Sequence, residues 1–430
     1  MKAVVVGLGA SGRAAAAVLK RMGADRIVGV DLRSEVEPID GVELQLGPHD
    51  RETFLAADLI VVSPGVPSSQ PDLVAAREHG IEVIGEVGFA DRMVLRPECP
   101  RIAITGTNGK STVTHFIGQL LESAGVDVFV GGNLGNPASN VKGESHYVLE
   151  LSSYQLESAG AFRADVGLIL NLSPDHLARH GDMAGYADAK CRLFHNARPS
   201  DLCAIPVGDE WLTDRRAGST GTRMWLGGAP GVVRRGRRVE VELPGRSACF
   251  SLDGFGVPGL HNLDNAATAI FAAYAVLPDA DRIQAAITGL SALAHRMQRV
   301  PSADGRVWID DSKATNIAST LAALRGRTEP TVLLLGGQWK GGGFSALAPH
   351  LGAVSAVICF GANGPDIAAE LRLAGVEPRE AEGLSEAVAL ARDSAGPADQ
   401  ILLSPGCASF DEFTDFEHRG RVFAQLAGED

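Results

Sequence analysis

Positive charge is the scarcer sign in this chain. Its 430 residues hold 39 Lys and Arg against 52 Asp and Glu, a formal net charge of −13, with a pI near 5.4. A protein that tracks nucleic acid needs a positive footprint, so that class of partner is not expected. Long apolar runs are missing as well. None approaches the ~18 residues that span a bilayer, so no membrane partner is expected. The start, Met1-Lys2 and then apolar residues, is broken by Gly7, Gly9 and Gly12 and followed by Arg13 and Lys20, which does not read as a signal peptide. The six cysteines (Cys99, Cys191, Cys203, Cys249, Cys359, Cys407) are scattered, with no C-x-x-C. That usage points to a reducing compartment and away from structural zinc. Internal repeats and low-complexity tracts are absent too. What is present is ordinary globular composition, 45% hydrophobic and 21% charged. At about 100–200 residues per domain the length suggests two to four domains. The expectation is a cytoplasmic enzyme.

Short apolar runs alternate with helical segments along the chain. Lys2–Val6 leads into a glycine turn and the Ala-rich stretch Arg13–Met22; Arg26–Val30 ends at Asp31, and Leu59–Val62 is closed by Ser63-Pro64-Gly65. This rhythm implies a parallel sheet wrapped by helices. Arg96-Pro97-Glu98-Cys99-Pro100 breaks it, and a boundary is placed there. A second strand–loop–helix follows at Arg101–Thr105, Gly106–Lys110 and Ser111 to about Ala124, then strands at Tyr147–Leu149 and Val166–Leu170. Residues 216–253 suggest β-hairpins, and an Ala-rich helix starts near Asn262. Val307–Ile309, Thr331–Leu335, Ala356–Phe360 and Ile401–Leu403 repeat the α/β pattern. Three α/β units result.

Two loops carry phosphate-binding signatures. Gly7-Leu8-Gly9-Ala10-Ser11-Gly12 is a G-x-G-x-x-G between a strand and a helix, with Asp31 ending the next strand. Such a turn lets backbone N–H groups at a helix N-terminus approach a pyrophosphate, whichever nucleotide carries it. Gly106-Thr107-Asn108-Gly109-Lys110-Ser111-Thr112 is the stronger signal. Its N–H groups would cradle phosphates, Lys110 would neutralise them, and the Ser111 hydroxyl would reach Mg²⁺. Ile104 stands where the longer form of this motif has its first Gly. Glu150 and Asp175-His176 follow strands and so project from the same sheet edge, where a carboxylate, an imidazole and a serine hydroxyl make a Mg²⁺ site. Arg234–Arg238 reads as a solvated turn, Cys407 as structural, and His79, His115 and His146 lie in no motif. From the residues alone, Lys190 is an ordinary surface helix residue.

Assembled, these blocks resemble the Mur ligases, and within them the branch that adds D-glutamate. The likeness covers essentially the whole chain. It rests on Gly106–Thr112, Glu150–Leu156, Asn171…Asp175-His176, Gly259…His261-Asn262…Asn265 and Ala294-His295-Arg296. It continues through Asp310–Asn316 and closes on Leu403-Ser404-Pro405…Cys407–Asp411. The resemblance implies an α/β fold in three domains. Residues 1–96 would form a Rossmann-like uridine-nucleotide-binding domain, 97–294 a central P-loop ATPase-like α/β domain that binds ATP, and 295–430 a C-terminal Rossmann-like α/β domain that binds the amino acid.

It implies roles as well. Gly7, Gly9, Ser11, Gly12, Asp31, Ser63, Pro64, Gly65 and Asn133 would hold the UDP-substrate. Gly106, Thr107, Asn108, Gly109, Lys110, Ser111 and Thr112 would hold ATP, with Asn262 and Asn265 at the adenine and Arg296, Asp311 and Lys313 at phosphate and ribose. Thr315, Lys340, Ser409 and Phe416 would hold glutamate. Ser111, Glu150 and His176 would bind two Mg²⁺ ions together with Lys190, which matches the family lysine that carries a CO₂-derived carbamate. Lys110, His176, Lys190, Arg296 and Lys313 would be catalytic. The loop Gly337–Phe344, glycine-rich with a Trp, departs locally from the family pattern. The implied reaction joins D-glutamate to UDP-N-acetylmuramoyl-L-alanine through an acyl phosphate, in peptidoglycan precursor synthesis, with a monomer sufficient. Three alternatives stand beside it: another branch of the Mur/folylpolyglutamate superfamily, an NAD-dependent oxidoreductase suggested by Gly7–Gly12 and Asp31, and a nucleotide-gated module without ligase chemistry.

Overall fold

The computed structural model describes residues 1–430 apart from 217–218, 303, 340–342, 397–398 and 429–430. The chain forms two compact units, residues 1–253 with 267–289, and residues 254–266 with 290–430. Among the described residues no helix is long and apolar enough to cross a membrane.

The first unit carries two sheets. One is all parallel: β1 (Lys2–Val6), β2 (Arg26–Asp31), β3 (Glu43–Leu46), β4 (Leu59–Val62) and β5 (Glu82–Gly85), in the order β3-β2-β1-β4-β5. β4 (Leu-Ile-Val-Val) and β1 after its exposed Lys2 (Ala-Val-Val-Val) are apolar runs buried on both faces, as strands covered by helices on each side must be. The strand order reverses between β1 and β4, so a crevice opens beyond their carboxyl ends, at Gly7 and Ser63.

The second sheet has nine strands: β6 (Arg101–Thr105), β7 (Val128–Gly132), β8 (His146–Glu150), β9 (Val166–Ile169), β10 (Leu202–Pro206), β11 (Thr222–Leu226), β12 (Gly231–Arg235), β13 (Arg238–Leu243) and β14 (Arg246–Ser251). Their order is β14-β13-β12-β11-β10-β9-β6-β8-β7. Register matters here: Ile104 lies beside Glu150, and Thr105 beside Ile169. Glu150 is therefore the last residue of its strand, where the sequence pattern put it one step beyond. The hairpins expected between 216 and 253 are β12–β13, with Arg235 opposite Arg238 at its tip, and β13–β14, where Leu243 pairs with Arg246.

Glu86 joins the two sheets. It opens the helix Glu86–Met93 and is only 2% exposed. One carboxyl oxygen accepts the Ser139 N–H at 2.7 Å, while the other has no hydrogen-bond partner. Burial raises its pKa.

The second unit holds β15 (Gln298–Val300), β16 (Val307–Asp310), β17 (Thr331–Gly336), β18 (Val354–Phe360), β19 (Arg379–Glu380) and β20 (Gln400–Gly406), in the order β15-β16-β20-β17-β18-β19. Only β15 runs antiparallel. β20, late in the chain, is the strand that joins β16 to β17.

Candidate active site

The glycine turn is built by three segments. Gly7 takes φ +84°, and a Cβ at Gly12 would collide with the Gly7 carbonyl oxygen, so the helix Ala10–Arg21 approaches the strand end as only glycine permits. Ser63 Oγ donates to Gly7 O at 2.7 Å, and Leu8 N–H donates to Asp31 Oδ2 at 2.8 Å. The Arg33 guanidinium holds the Asp31 carboxyl well below the usual range. Gly7, Gly12, Asp31 and Ser63 thus share one crevice.

The phosphate loop is similarly over-determined. Gly109, at φ +84°, caps the helix Lys110–Ser123, whose apolar face (Val113, Phe116, Ile117, Leu120, Leu121) is buried. Asn171, just past β9, clamps the loop from outside: its Oδ1 accepts Asn108 N–H and its Nδ2 donates to Asn108 O, each at 2.9 Å. Thr107 Oγ1 meets the Ser173 backbone and the Tyr186 hydroxyl. Lys110 Nζ folds onto the loop, donating to Gly106 O at 3.0 Å and Thr107 O at 2.9 Å. Ser111 and Thr112 are buried at the helix start. A ring of N–H groups with a lysine inside it is an anion site.

Around this loop stand the residues expected to bind metal. Glu150 is 2% exposed; Asn133 Nδ2 donates to its Oε1 at 2.7 Å, and its buried Oε2 has no hydrogen-bond partner. An orphaned carboxylate oxygen beside a phosphate loop fits Mg²⁺, which takes one or two carboxylates and completes its shell with phosphate and water. Lys190 corrects the reading drawn from residues alone: it is 1% exposed, not on the surface. Its Nζ donates to Gly106 O at 2.8 Å and lies 4.6 Å from the centroid of the Tyr186 ring. Burial, then Lys110, pulls its pKa well below the usual lysine range. His176 adopts φ +53°, a left-handed backbone uncommon outside glycine, at the cap of the short helix Leu177–His180. Its Nδ1 lies 3.0 Å from the Tyr154 hydroxyl.

The second unit gathers another group. Asp311 is buried, accepting Ser404 Oγ–H at 2.8 Å; burial pushes its pKa up to about 7, against the pull of Arg296. Lys313 Nζ lies 5.2 Å from the Phe416 ring centroid, and Thr315 N–H bonds Lys313 O. Ser409 is buried on the adjoining loop. Asn262, 1% exposed, accepts from Asn265 Nδ2 at 3.1 Å. Lys340 lies outside the described residues.

Sequence reasoning passed over several residues that shape these loops. Arg419, wholly buried, donates to Ser312 Oγ at 2.9 Å, Ser312 O at 2.8 Å and Cys407 O at 3.1 Å, tying two loops together. Burial lowers its pKa to about 10. Tyr186, its pKa raised to about 12 by burial, sits between Thr107 and Lys190. Neither lies in a motif, so only the tertiary structure reveals them.

Comparison with known proteins adds a family context. Residues 1–85 match the Mur ligase MurD-like N-terminal domain, residues 104–273 the Mur ligase middle domain, and residues 295–407 the Mur ligase glutamate ligase domain. The chain is 38% identical to the UDP-N-acetylmuramoylalanine–D-glutamate ligase of Desulfatibacillum aliphaticivorans over 99% of its length and 97% of that protein. It is 37% identical to the same-named enzyme of Koribacter versatilis, over 99% and 96%. In fold it resembles the UDP-N-acetylmuramate-alanine ligase of Thermotoga maritima, with a TM-score of 0.63 at 21% identity over 99% of this chain and 98% of that one. It likewise resembles MurF from Acinetobacter baumannii, with a TM-score of 0.64 at 17% identity over 99% and 90%.

Proposed function

This chain belongs to the Mur ligase family, and we propose that it joins D-glutamate to UDP-N-acetylmuramoyl-L-alanine, with cleavage of ATP, in peptidoglycan precursor synthesis. The observation that carries ligase chemistry is the loop Gly106–Ser111 at the start of a buried helix, with Lys110 and Lys190 both on the Gly106 carbonyl. The choice of D-glutamate rests on the relatives that bear that name.

In the reaction, the terminal phosphoryl group of ATP passes to the alanyl carboxylate, giving an acyl phosphate and ADP. The glutamate amine, deprotonated, attacks the acyl carbon; the tetrahedral intermediate expels phosphate and leaves an amide. Lys110 releases its two loop carbonyls and follows the charge that grows on the transferring group. Gly106, Thr107, Asn108, Gly109 and Thr112 line the phosphates; Asn262 and Asn265 take the adenine, and Arg296, Asp311 and Lys313 the ribose and phosphate. Thr315, Lys340, Ser409 and Phe416 hold glutamate. Gly7, Gly9, Ser11, Gly12, Asp31, Ser63, Pro64, Gly65 and Asn133 hold the uridine nucleotide. Ser111, Glu150, His176 and Lys190 would hold two Mg²⁺ ions, which when bound offset negative charge on the phosphates. Burial favours the neutral amine of Lys190, the form that attacks CO₂: a N–C bond forms, a proton leaves, and Lys190 becomes an anionic carbamate. The roles divide along domain limits at 1–96, 97–294 and 295–430, and the enzyme works as a single chain in the cytoplasm.

Phosphate release with ATP, Mg²⁺ and UDP-N-acetylmuramoyl-L-alanine tests the reading, comparing D-glutamate, L-glutamate and no amino acid. Release that needs both substrates and prefers D-glutamate is expected. Release with a different amino acid moves the chain to another branch; release indifferent to any acceptor overturns the ligase.

A further inference from the structure

The reaction above gives Tyr154 no part, yet few side chains are held so firmly beside it. It lies in the helix Ser153–Glu157, which a reciprocal capping box between Ser152 and Gln155 closes. Arg179 stacks on its ring at 5.0 Å from the centroid and is anchored by Glu157 at 2.7 Å. The His180 ring lies 5.7 Å away, held in turn by Ser153 Oγ at 3.0 Å. The phenol therefore has little freedom, and its hydroxyl is delivered to one atom, His176 Nδ1, at 3.0 Å.

The His176 side chain is about half exposed, at 49%, so core packing does not fix its ring; Nδ1 meets the Tyr154 hydroxyl, and Nε2 lies 3.7 Å from Asp175 Oδ2. A neutral imidazole carries one N–H. With the proton on Nδ1, donated to the phenol oxygen, Nε2 keeps a lone pair; with the phenol donating to Nδ1, Nε2 carries the proton and cannot ligate. Hydrogen-bond partners on the far ring nitrogen commonly set the orientation and basicity of a metal-bound histidine.

We propose that Tyr154 is a positioning residue: its hydroxyl accepts the Nδ1–H of His176 and so presents Nε2 as a donor to the divalent cation. The inference rests on His176 being a metal ligand. Tyr154→Phe keeps the ring, and hence its contacts with Arg179 and His180, and removes only the hydroxyl.

Two readouts separate the possibilities, both on the full-length chain. Nitrogen-15 NMR of the histidine rings, with His176→Ala identifying the signal, reports the tautomer without metal. The expected result is the Nδ1–H form in the parent protein and a tautomer mixture in Tyr154→Phe; an Nε2–H form in the parent overturns the proposal. Mn²⁺ titration followed by electron paramagnetic resonance, with a non-hydrolysable ATP analogue present, reports affinity. Tyr154→Phe is expected to weaken Mn²⁺ about tenfold. Parent-like affinity in Tyr154→Phe beside weakened binding in His176→Ala overturns the positioning role alone. Unchanged affinity in His176→Ala overturns the metal assignment beneath it.

Discussion

Two lysines share one carbonyl in this protein. Lys110 and Lys190 approach Gly106 O at 3.0 and 2.8 Å, and two ammonium ions so placed repel one another. Burial, and after it the charge of Lys110, lowers the pKa of Lys190 and so favours its neutral amine. That is the state a carbamate requires. Lys190→Ala is expected to lose about 100-fold or more in kcat, the scale of a lost electrostatic group in a closed site. Stripping CO₂ from the buffers should slow the parent enzyme, and added bicarbonate should restore it. A parent enzyme indifferent to CO₂ would remove the carbamate. The two lysines also show what single residues disclose. Lys110 was legible because its loop is a local signature between a strand and a helix. Lys190 was legible only through family resemblance, because its burial arises from Thr105, Gly106 and Tyr186, of which the first two lie more than 80 positions away. Arg419 escaped for the same reason, since its partners come together only in the fold.

Among elements, the turn from β1 into the helix Ala10–Arg21 leaves no room for a side chain at Gly12. Gly12→Ala sets a methyl group against the Gly7 carbonyl. The helix must shift, at a cost of about 3 kcal/mol, the upper range for overpacking a tight contact. Urea denaturation should show a lower midpoint with an unchanged slope, whereas a parent-like midpoint would mean the helix moves freely. The strands Lys2–Val6, Leu59–Val62 and Arg101–Thr105 were legible to the residue because Val, Ile, Leu and Ala runs end at glycine or polar turns. Glu43–Leu46, Val128–Gly132 and Arg379–Glu380 were not. They sit at sheet edges, where one side of the strand lacks a partner and the apolar run that marks a central strand is short or missing. The helix Lys110–Ser123 began one residue earlier than the pattern suggested, because Gly109 in its left-handed conformation serves as the cap.

For the whole molecule, stability should depend on pH through Glu86. Burial raises its folded pKa above the unfolded value of 4.5, so folding favours the protonated form. Its stabilising contribution is complete below pH 4.5 and is lost as pH rises through the raised folded value. Glu86→Gln keeps an oxygen for the Ser139 N–H and carries no charge. The variant should melt about 2 °C higher at pH 8, roughly the shift that ~1 kcal/mol gives a large domain, and the gain should vanish near pH 4. Equal melting temperatures at pH 8 would show that Glu86 carries no such load. A formal net charge of −13 bears on association with charged partners and not on the architecture of the fold.

The position of β20 has a consequence for how the protein is made. A ribosome emits Val307–Asp310 and Thr331–Gly336 well before Gln400–Gly406, yet in the finished sheet those two strands touch only through the later one. Until it arrives, each presents a bare row of backbone donors and acceptors, the kind of edge on which nascent chains associate. The loops around Ser312 and Cys407 wait longer still, for Arg419. Arg419 thus governs when the second unit first takes shape, and a nascent chain that stops before it would hold every phosphate-loop residue and none of this closure.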